Sequence, residues 1–73
     1  MIEMMKILYT ESIGKVIRER RKQLGYTQGF IADFTGLSVS FISDVERGKS
    51  TAEIGKIIML INTLGLDLIV ESR

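Results

Sequence analysis

A chain of 73 residues can form one domain but is too short to bury two separate hydrophobic cores. Hydrophobic residues make up 45% of it, which is typical of a folded protein, and the lack of cysteine and histidine excludes disulfide bonds and the metal and nucleophile sites that need a thiol or an imidazole. A net charge of +1 does not by itself indicate a nucleic-acid partner, and the longest apolar run, residues 57–61, is too short to span a membrane.

The composition therefore predicts a cytoplasmic protein that is not an enzyme and uses no cofactor or metal. Catalysis fits poorly because the chain has no phosphate-binding loop and no cluster of carboxylates. Glu3 and Lys6 stand where a signal peptide would need an unbroken apolar run. We interpret residues 1–10 as an N-terminal extension that precedes the first helical pattern.

A first helix is predicted over residues 11–24. Apolar residues recur there at helical spacing, Thr10 or Ser12 can cap the first turn, and Gly25 ends the helix. Five basic residues of this helix lie within the eight positions 15–22, where Glu19 is the only acidic residue. Such a cluster fits a solvated face as well as a surface for phosphates, and without further context we favour the solvated face. The apolar positions are Ile13, Val16, Ile17 and Leu24, and the basic ones are Lys15, Arg18, Arg20, Arg21 and Lys22.

Two short helices follow, separated by a tight turn. Thr27 caps the second helix, which buries Ile31 and Ala32 and ends at Gly36. Ser38 caps the third helix. The third helix places Phe41, Ile42 and Val45 at helical spacing. It is predicted to end at Gly48.

A fourth helix and one strand complete the predicted fold. Thr51 caps the helix and Gly65 ends it. In the segment 66–71, residues 66, 68 and 70 are apolar and alternate with residues 67, 69 and 71, which is the spacing of a β-strand. The fold class is therefore mainly all-α, four helices with a short C-terminal β-strand. The predicted core side of the fourth helix consists of Ile54, Ile57, Ile58, Ile61 and Leu64.

The segments 27–38 and 41–49 resemble the Cro/repressor-type helix-turn-helix proteins. The physics of the spacing supports this resemblance, since two short helices cross steeply only when the contact is small and the link is tight. Ala32 supplies the small contact, and Gly36 supplies a turn residue able to adopt positive φ. The resemblance implies a lambda-repressor-like bundle in which residues 11–65 form the DNA-binding domain.

The fourth helix and the C-terminal segment narrow the resemblance to the HipB-like antitoxins, and it extends from about residue 13 to residue 70. Those proteins are dimers that bind an inverted-repeat operator on double-stranded DNA, repress their own operon and hold a HipA-type kinase toxin. The resemblance implies the same properties here. Three residues depart from the pattern, because Gly29 stands where an acidic residue is common, and Phe30 and Phe34 occupy positions that are usually polar.

The match to the family motif assigns the residues that would contact DNA. Gln28 would reach a phosphate and the first base, while Arg47 and Lys49 would bind phosphates or, alternatively, form a solvated turn. No arginine lies on the third helix to bind guanine, so part of the specificity is expected from half-site spacing and DNA shape. The outward residues of the third helix are Ser38, Val39, Ser40, Ser43 and Asp44, of which Ser43 is also a phosphate candidate.

Two basic residues of the first helix receive other assignments. The resemblance implies that Arg21 forms a salt bridge with Glu46, which fixes the first helix to the end of the third, so Arg21 is not counted among the DNA contacts. Arg20 stands where relatives often have a core leucine. We expect its aliphatic stem to pack across the surface.

Two surfaces are expected to make further contacts. Phe30 and Phe34 lie four residues apart on the outward side of the second helix, and they either pack on Met5, Ile7 and Leu8 or form a patch for a protein partner. Residues 66–71 are expected to pair with the same strand of a second chain, because a lone strand leaves its backbone groups unpaired. The predicted dimerisation residues are Leu66, Leu68, Ile69 and Val70, and Ile57, Ile61 and Leu64 are expected to pack across that interface.

Two rival functions remain open at this point. The fold could serve only as a protein-binding subunit that neutralises a toxin or acts as a scaffold, with little DNA binding. The chain could also be a phage-type repressor without any toxin.

Overall fold

The computed structural model describes residues 4–73, so residues 1–3 of the predicted N-terminal extension lie outside it. Four helices are present: α1 (Thr10–Gln23), α2 (Gln28–Thr35), α3 (Val39–Glu46) and α4 (Ile54–Thr63). This confirms the predicted four-helix bundle. Within residues 4–73 there is no strand, and the tail 66–71 has no regular secondary structure in the single chain. Pairing of that tail with a second chain stays a prediction.

The turn between α2 and α3 is formed by local capping interactions, as predicted. The Thr27 hydroxyl accepts a hydrogen bond from the amide of Phe30 at 3.0 Å, and the Ser38 hydroxyl accepts one from the amide of Phe41 at 2.9 Å. Gly36 ends α2 with a φ of 80°, in the left-handed region that favours glycine. The crossing of the two helices is thus specified by residues inside a twelve-residue stretch of sequence.

The predicted caps of α1 and α4 are wrong. Thr10 is already the first residue of α1, and its hydroxyl donates to the carbonyl of Gly48 at 2.7 Å instead of accepting from its own helix. Helix α4 starts three residues after Thr51, with Glu53 at the N-cap position and no side-chain cap hydrogen bond. In both cases a distant contact or a longer loop, rather than the local cap residue, determines where the helix begins.

The core contains side chains from all four helices, with Ile17, Ile31, Ile42 and Leu60 almost completely buried. The buried side of α4 differs from the prediction. Ile54 is 69% exposed and Ile58 is also exposed, whereas Leu60 is 0% exposed. The inward positions 57, 60, 61 and 64 follow i, i+3, i+4 and i+7 spacing, so the buried stripe is rotated relative to the predicted one. Leu24, which the helical spacing grouped with the apolar positions of the first helix, is exposed.

Helix α1 packs against the end of α3 through a close backbone contact at Gly14. A Cβ atom on Gly14 would overlap the carbonyl oxygen of Val45 and would lie 2.9 Å from that of Glu46. A similar constraint exists nearby, where a Cβ on Gly48 would lie 2.8 Å from the Cα of Glu11. These contacts hold the end of α3 directly against the first two turns of α1.

None of the helices described over residues 4–73 combines the length and the apolar character needed to cross a membrane.

Candidate nucleic-acid interface

Helix α3 has one face in the core and one face directed away from it. Ile42 and Val45 are buried, at 0% and 2% exposure, while Val39 and Ser40 are exposed. The predicted outward residues Ser40, Ser43 and Asp44 share this outer face with Arg47, because positions three, four and seven apart lie together on a helix. The structure therefore brings together the predicted base-contact residues on one surface.

Ser38 lies at the edge of that surface and is partly committed to the fold. Its hydroxyl oxygen caps α3 by accepting from the amide of Phe41, which leaves the hydroxyl proton and one lone pair for a ligand. Through its proton, Ser38 can donate to a phosphate oxygen or to an acceptor atom of a base edge.

Asp44 lies at the centre of a network of charged side chains on the outer face of α3. It accepts from Arg47 at 2.6 Å and from Lys49 at 3.5 Å. Arg47 also donates to the hydroxyl of Ser43 at 3.0 Å. The two predicted phosphate-binding cations, which follow the last residue of α3, therefore both pair with Asp44 while remaining exposed to solvent.

Glu46 and Arg21 form a salt bridge between the end of α3 and α1, at the position that the resemblance implied. Arg21 donates through Nε and Nη2 to the two carboxylate oxygens of Glu46, at 2.7 and 2.9 Å. Its Nη1 donates to the carbonyl of Tyr26 at 2.8 Å. The side chains are 10% and 3% exposed, which makes this a bidentate pair largely shielded from water.

The pair shifts the titration of both groups. Burial opposes ionisation of Glu46, but hydrogen bonds from Arg21 and Gln28 and the positive charges of Arg21 and Arg18 outweigh it, so the pKa of Glu46 lies below its ordinary value. The hydrogen bond to Glu46 raises the pKa of Arg21 against the opposing effect of burial, with the charge of Glu46 adding to the rise. Both groups are therefore charged at neutral pH.

Gln28 was predicted to reach a phosphate, and in this structure its side chain has a different partner. Its Nε2 donates to the Oε1 of Glu46 at 3.1 Å. The amide thus belongs to the salt-bridge network and positions the start of α2 against the end of α3. Its side-chain oxygen, the second proton of Nε2 and its backbone amide remain the groups through which it could contact DNA.

Two arginines of α1 lie in positions that the sequence did not predict. Arg18 lines an open cleft together with Gln28, Ser43, Glu46 and Arg47, which places it beside the predicted DNA surface. The only signal for it was its membership of the basic cluster on α1. Arg20 donates through Nε to the carbonyl of Leu64 at 2.9 Å, so it satisfies the end of α4 instead of only packing its stem across the surface.

An aromatic strip, formed by Tyr26, Phe30 and Phe34, lies on the outer side of α2. The ring centroids of Tyr26 and Phe30 are 4.8 Å apart, and those of Phe30 and Phe34 are 6.5 Å apart, with stacked rings in both cases. Phe30 and Phe34 are 51% and 71% exposed. In the described part of the chain, residues 4–73, the predicted packing of the two phenylalanines on Met5, Ile7 and Leu8 is not found.

The N-terminal segment lies elsewhere, against α4 and the tail. Ile7, Leu8 and Tyr9 line a groove together with Ile54, Ile57 and Leu68. Leu66 is half-buried against the core of its own chain, whereas Leu68, Ile69 and Val70 are exposed. The three helix residues expected to cross a dimer interface, Ile57, Ile61 and Leu64, are buried in their own protomer, so that part of the prediction is wrong.

Comparison with known proteins agrees with the geometry of the α2–α3 unit. Residues 17–70 match the helix-turn-helix family HTH_3. An uncharacterized HTH-type transcriptional regulator of Sinorhizobium fredii, y4mF, is 39% identical over 56 residues, which make up 77% of this chain and 74% of that protein.

Two solved structures of HipB share the fold. A HipB variant in an O2 20mer complex has a TM-score of 0.87 and 20% identity, covering 96% of this chain and 97% of that one. HipB in an O4 20mer complex has a TM-score of 0.86 and 20% identity, covering 94% and 97%. The similarity of fold therefore extends from the N-terminal segment into the tail.

Proposed function

Since this chain belongs to the HTH_3 helix-turn-helix family of transcriptional regulators, we propose that it is a sequence-specific DNA-binding repressor that acts as a homodimer on an inverted-repeat operator. The family consists of regulators and not of enzymes, and the chain is accordingly not an enzyme. The observation that carries the proposal is helix α3, which is capped by Ser38, anchored in the core by Ile42 and Val45, and exposed at Val39 and Ser40. This is the arrangement of a recognition helix.

The polar and apolar groups around the turn fall into two sets that suit different parts of a DNA duplex. Val39 can contact the methyl group of thymine, and Ser40 and Ser43 can bond to base edges. The first backbone amides of α2 and α3 precede those that Thr27 and Ser38 cap, and they suit phosphate oxygens together with Arg47, Lys49 and Arg18. We assign sequence preference to the first group and most of the affinity to the second.

We further propose that the protein is an autoregulating antitoxin of the HipB-like kind, with a HipA-type kinase as its partner. HipB in its O2 and O4 20mer complexes has the same fold over nearly the whole of this chain, which supports the proposal that this chain binds DNA. The exposed aromatic strip supports a protein contact, because aromatic side chains are enriched in protein interfaces and exposed apolar patches mark interaction sites.

The DNA-binding proposal is tested by fluorescence anisotropy with the duplex upstream of the protein's own gene and a scrambled duplex, at 50 and 200 mM salt. We expect tighter binding to the upstream duplex and a loss of affinity with salt. Replacing Ser40 or Ser43 with alanine should change the preference between the duplexes. Replacing Lys49 with alanine should weaken both and reduce the salt slope by about one unit.

Lys56→Ala is the matched control for Lys49→Ala. Lys56 lies on α4, where it pairs with Glu53 at 3.4 Å and sits over the ring of Phe41, so the variant loses the same charge away from the outer face of α3. It should bind both duplexes like the wild type. Equal affinity of the wild-type protein for the two duplexes would refute sequence-specific repression.

The partner proposal is tested by co-expressing the chain with a HipA-type kinase encoded beside its gene. Phe30→Ser should abolish co-purification while leaving the circular dichroism spectrum and the DNA affinity unchanged, because the side chain is half-exposed and lies on α2, away from the outer face of α3. Unchanged co-purification of Phe30→Ser and Phe34→Ser would show that the aromatic strip is not the contact. A protein that binds the kinase but no DNA would instead be a toxin-neutralising subunit.

A further inference from the structure

The network around Asp44 places a negative charge in the middle of the surface assigned to DNA. Asp44 shares the outer face of α3 with Ser40 and Ser43, and its side chain is 27% exposed. A carboxylate at this position would repel the phosphates of any duplex that approaches. The structure compensates this charge with Arg47 at 2.6 Å and Lys49 at 3.5 Å.

The same contacts have a cost for DNA binding. A cation that neutralises a carboxylate contributes less to a phosphate contact, and Arg47 is held twice, by Asp44 and by the hydroxyl of Ser43. Arg47 and Lys49 are nevertheless 71% and 54% exposed, and ion pairs this exposed are weak. The pairs can therefore be exchanged for other partners when a suitable ligand arrives.

The major groove offers one kind of partner that can replace the cations at Asp44. A carboxylate accepts a hydrogen bond from the exocyclic N4 amine of cytosine, whereas guanine and thymine present acceptors at the corresponding edge. The adenine amine is adjacent to the N7 acceptor, which repels a carboxylate. Cytosine is thus the base whose presence would free both cations without leaving Asp44 unpaired.

We propose that Asp44 couples base recognition to phosphate binding: it holds Arg47 and Lys49 in the free protein and on unrelated DNA, and releases both to phosphates when a cytosine amine takes their place. This inference rests on the proposed DNA-binding function. It assigns to Asp44 the role of a specificity determinant that weakens binding to incorrect sequences. It also predicts one cytosine in each half-site of the operator.

The test compares wild-type protein with Asp44→Ala on two duplexes, one selected by the wild type from a random pool and one scrambled. Asp44→Ala should bind the scrambled duplex about tenfold more tightly, with a salt slope steeper by about one to two units, because both cations become available to phosphates. Selection with Asp44→Ala should no longer enrich cytosine at the position that the wild type requires.

Glu53→Ala is the matched control, because it removes an exposed acidic residue that holds a lysine on α4. It should gain little affinity and keep the cytosine preference. A variant that also carries Arg47→Gln and Lys49→Gln in the Asp44→Ala background should lose the gain in affinity and in salt slope.

Three results would overturn the inference while leaving the DNA-binding function intact. These are equal affinity gains in Asp44→Ala and Glu53→Ala, a gain that persists without the two cations, or an unchanged cytosine preference in Asp44→Ala. A wild-type protein that selects no sequence from the pool would instead refute the proposed function itself.

Discussion

The guanidinium of Arg21 has three acceptors, the two carboxylate oxygens of Glu46 and the carbonyl of Tyr26. Breaking a buried pair of this kind by removing one partner costs about 3 to 5 kcal/mol, because the remaining charge is left without compensation. We therefore expect Arg21→Met and Glu46→Leu each to lower the free energy of unfolding in urea. The double variant should lose clearly less than the sum of the two.

The pair of Lys56 and Glu53 is the control for this cycle, since it is exposed and pairs of this kind contribute at most about 1 kcal/mol. Lys56→Met and Glu53→Leu should therefore be nearly additive. Additive losses for Arg21→Met and Glu46→Leu as well would show that the two residues do not depend on each other.

The lowered pKa of Glu46 makes stability depend on pH. Because the folded protein binds this proton less readily than the unfolded chain, the stabilisation is complete above the ordinary value of 4.5 and is lost as the pH falls through the folded pKa. We expect the free energy of unfolding to fall in this acidic range. Glu46→Gln should be less stable at pH 7 and should show a smaller fall between pH 7 and pH 3. An identical fall in both proteins would exclude this carboxyl as a source of the pH dependence.

At the scale of elements, the contact of α1 with α3 depends on Gly14. Alanine at this position places a methyl group against the carbonyl of Val45, and backbone atoms cannot move aside as a flexible side chain can. We expect Gly14→Ala to destabilise the protein by about 1 to 3 kcal/mol, measured by thermal or urea unfolding. Gly55→Ala is the control, because Gly55 lies in α4 with nothing within 4 Å, and alanine there should be neutral or stabilising by up to about 1 kcal/mol. Equal stability of the two variants would contradict the close approach.

The parts of the fold that could be predicted from the sequence are those set by neighbouring residues. Thr27 and Ser38 each accept from an amide three residues later, and Gly36 adopts positive φ, so the helix-turn-helix unit was readable from local chemistry. Thr10 and Thr51 are threonines like Thr27, but neither of them caps a helix. The hydroxyl of Thr10 is instead bonded 38 residues away, at Gly48, a contact that a local pattern does not contain.

The buried side of α4 is a feature that could not be predicted from the sequence pattern. Residues 57–61 of this helix are all apolar, so periodicity could not distinguish Ile58, which is exposed, from Leu60, which is buried. The orientation is determined by packing on the other helices. The same applies to the surface for DNA, where residue types identified Asp44, Arg47 and Lys49, but only the structure showed that they bind one another.

At the scale of the whole molecule, exposed apolar side chains gather where the N-terminal segment, α4 and the tail meet. Leu8 and Tyr9 are 64% and 70% exposed, as exposed as Ile54 on α4 and Ile69 in the tail. We expect a second copy of the chain to cover this surface, with the tails paired as strands. A truncation that ends at Gly65 should then be monomeric or unstable by light scattering and should lose most of its operator affinity.

Phe34→Ser serves as the control for the truncation, because it removes an equally exposed apolar side chain from α2 and should remain dimeric. A truncated protein that stays dimeric and binds the operator as tightly as the full chain would refute pairing through the tail. The spacing of the two recognition helices, which must be about 34 Å to enter successive major grooves, would then be set by another surface.

The division of α3 into a buried and an exposed face has an evolutionary consequence. Val39 and Ser40 are exposed, while Ile42 and Val45 hold the helix in the core, so substitutions on the outer face cost little stability. A duplicated gene could therefore acquire a new operator through a few neutral steps, without first gaining stability elsewhere. Paralogues that diverge in this way would regulate separate genes while keeping the same scaffold.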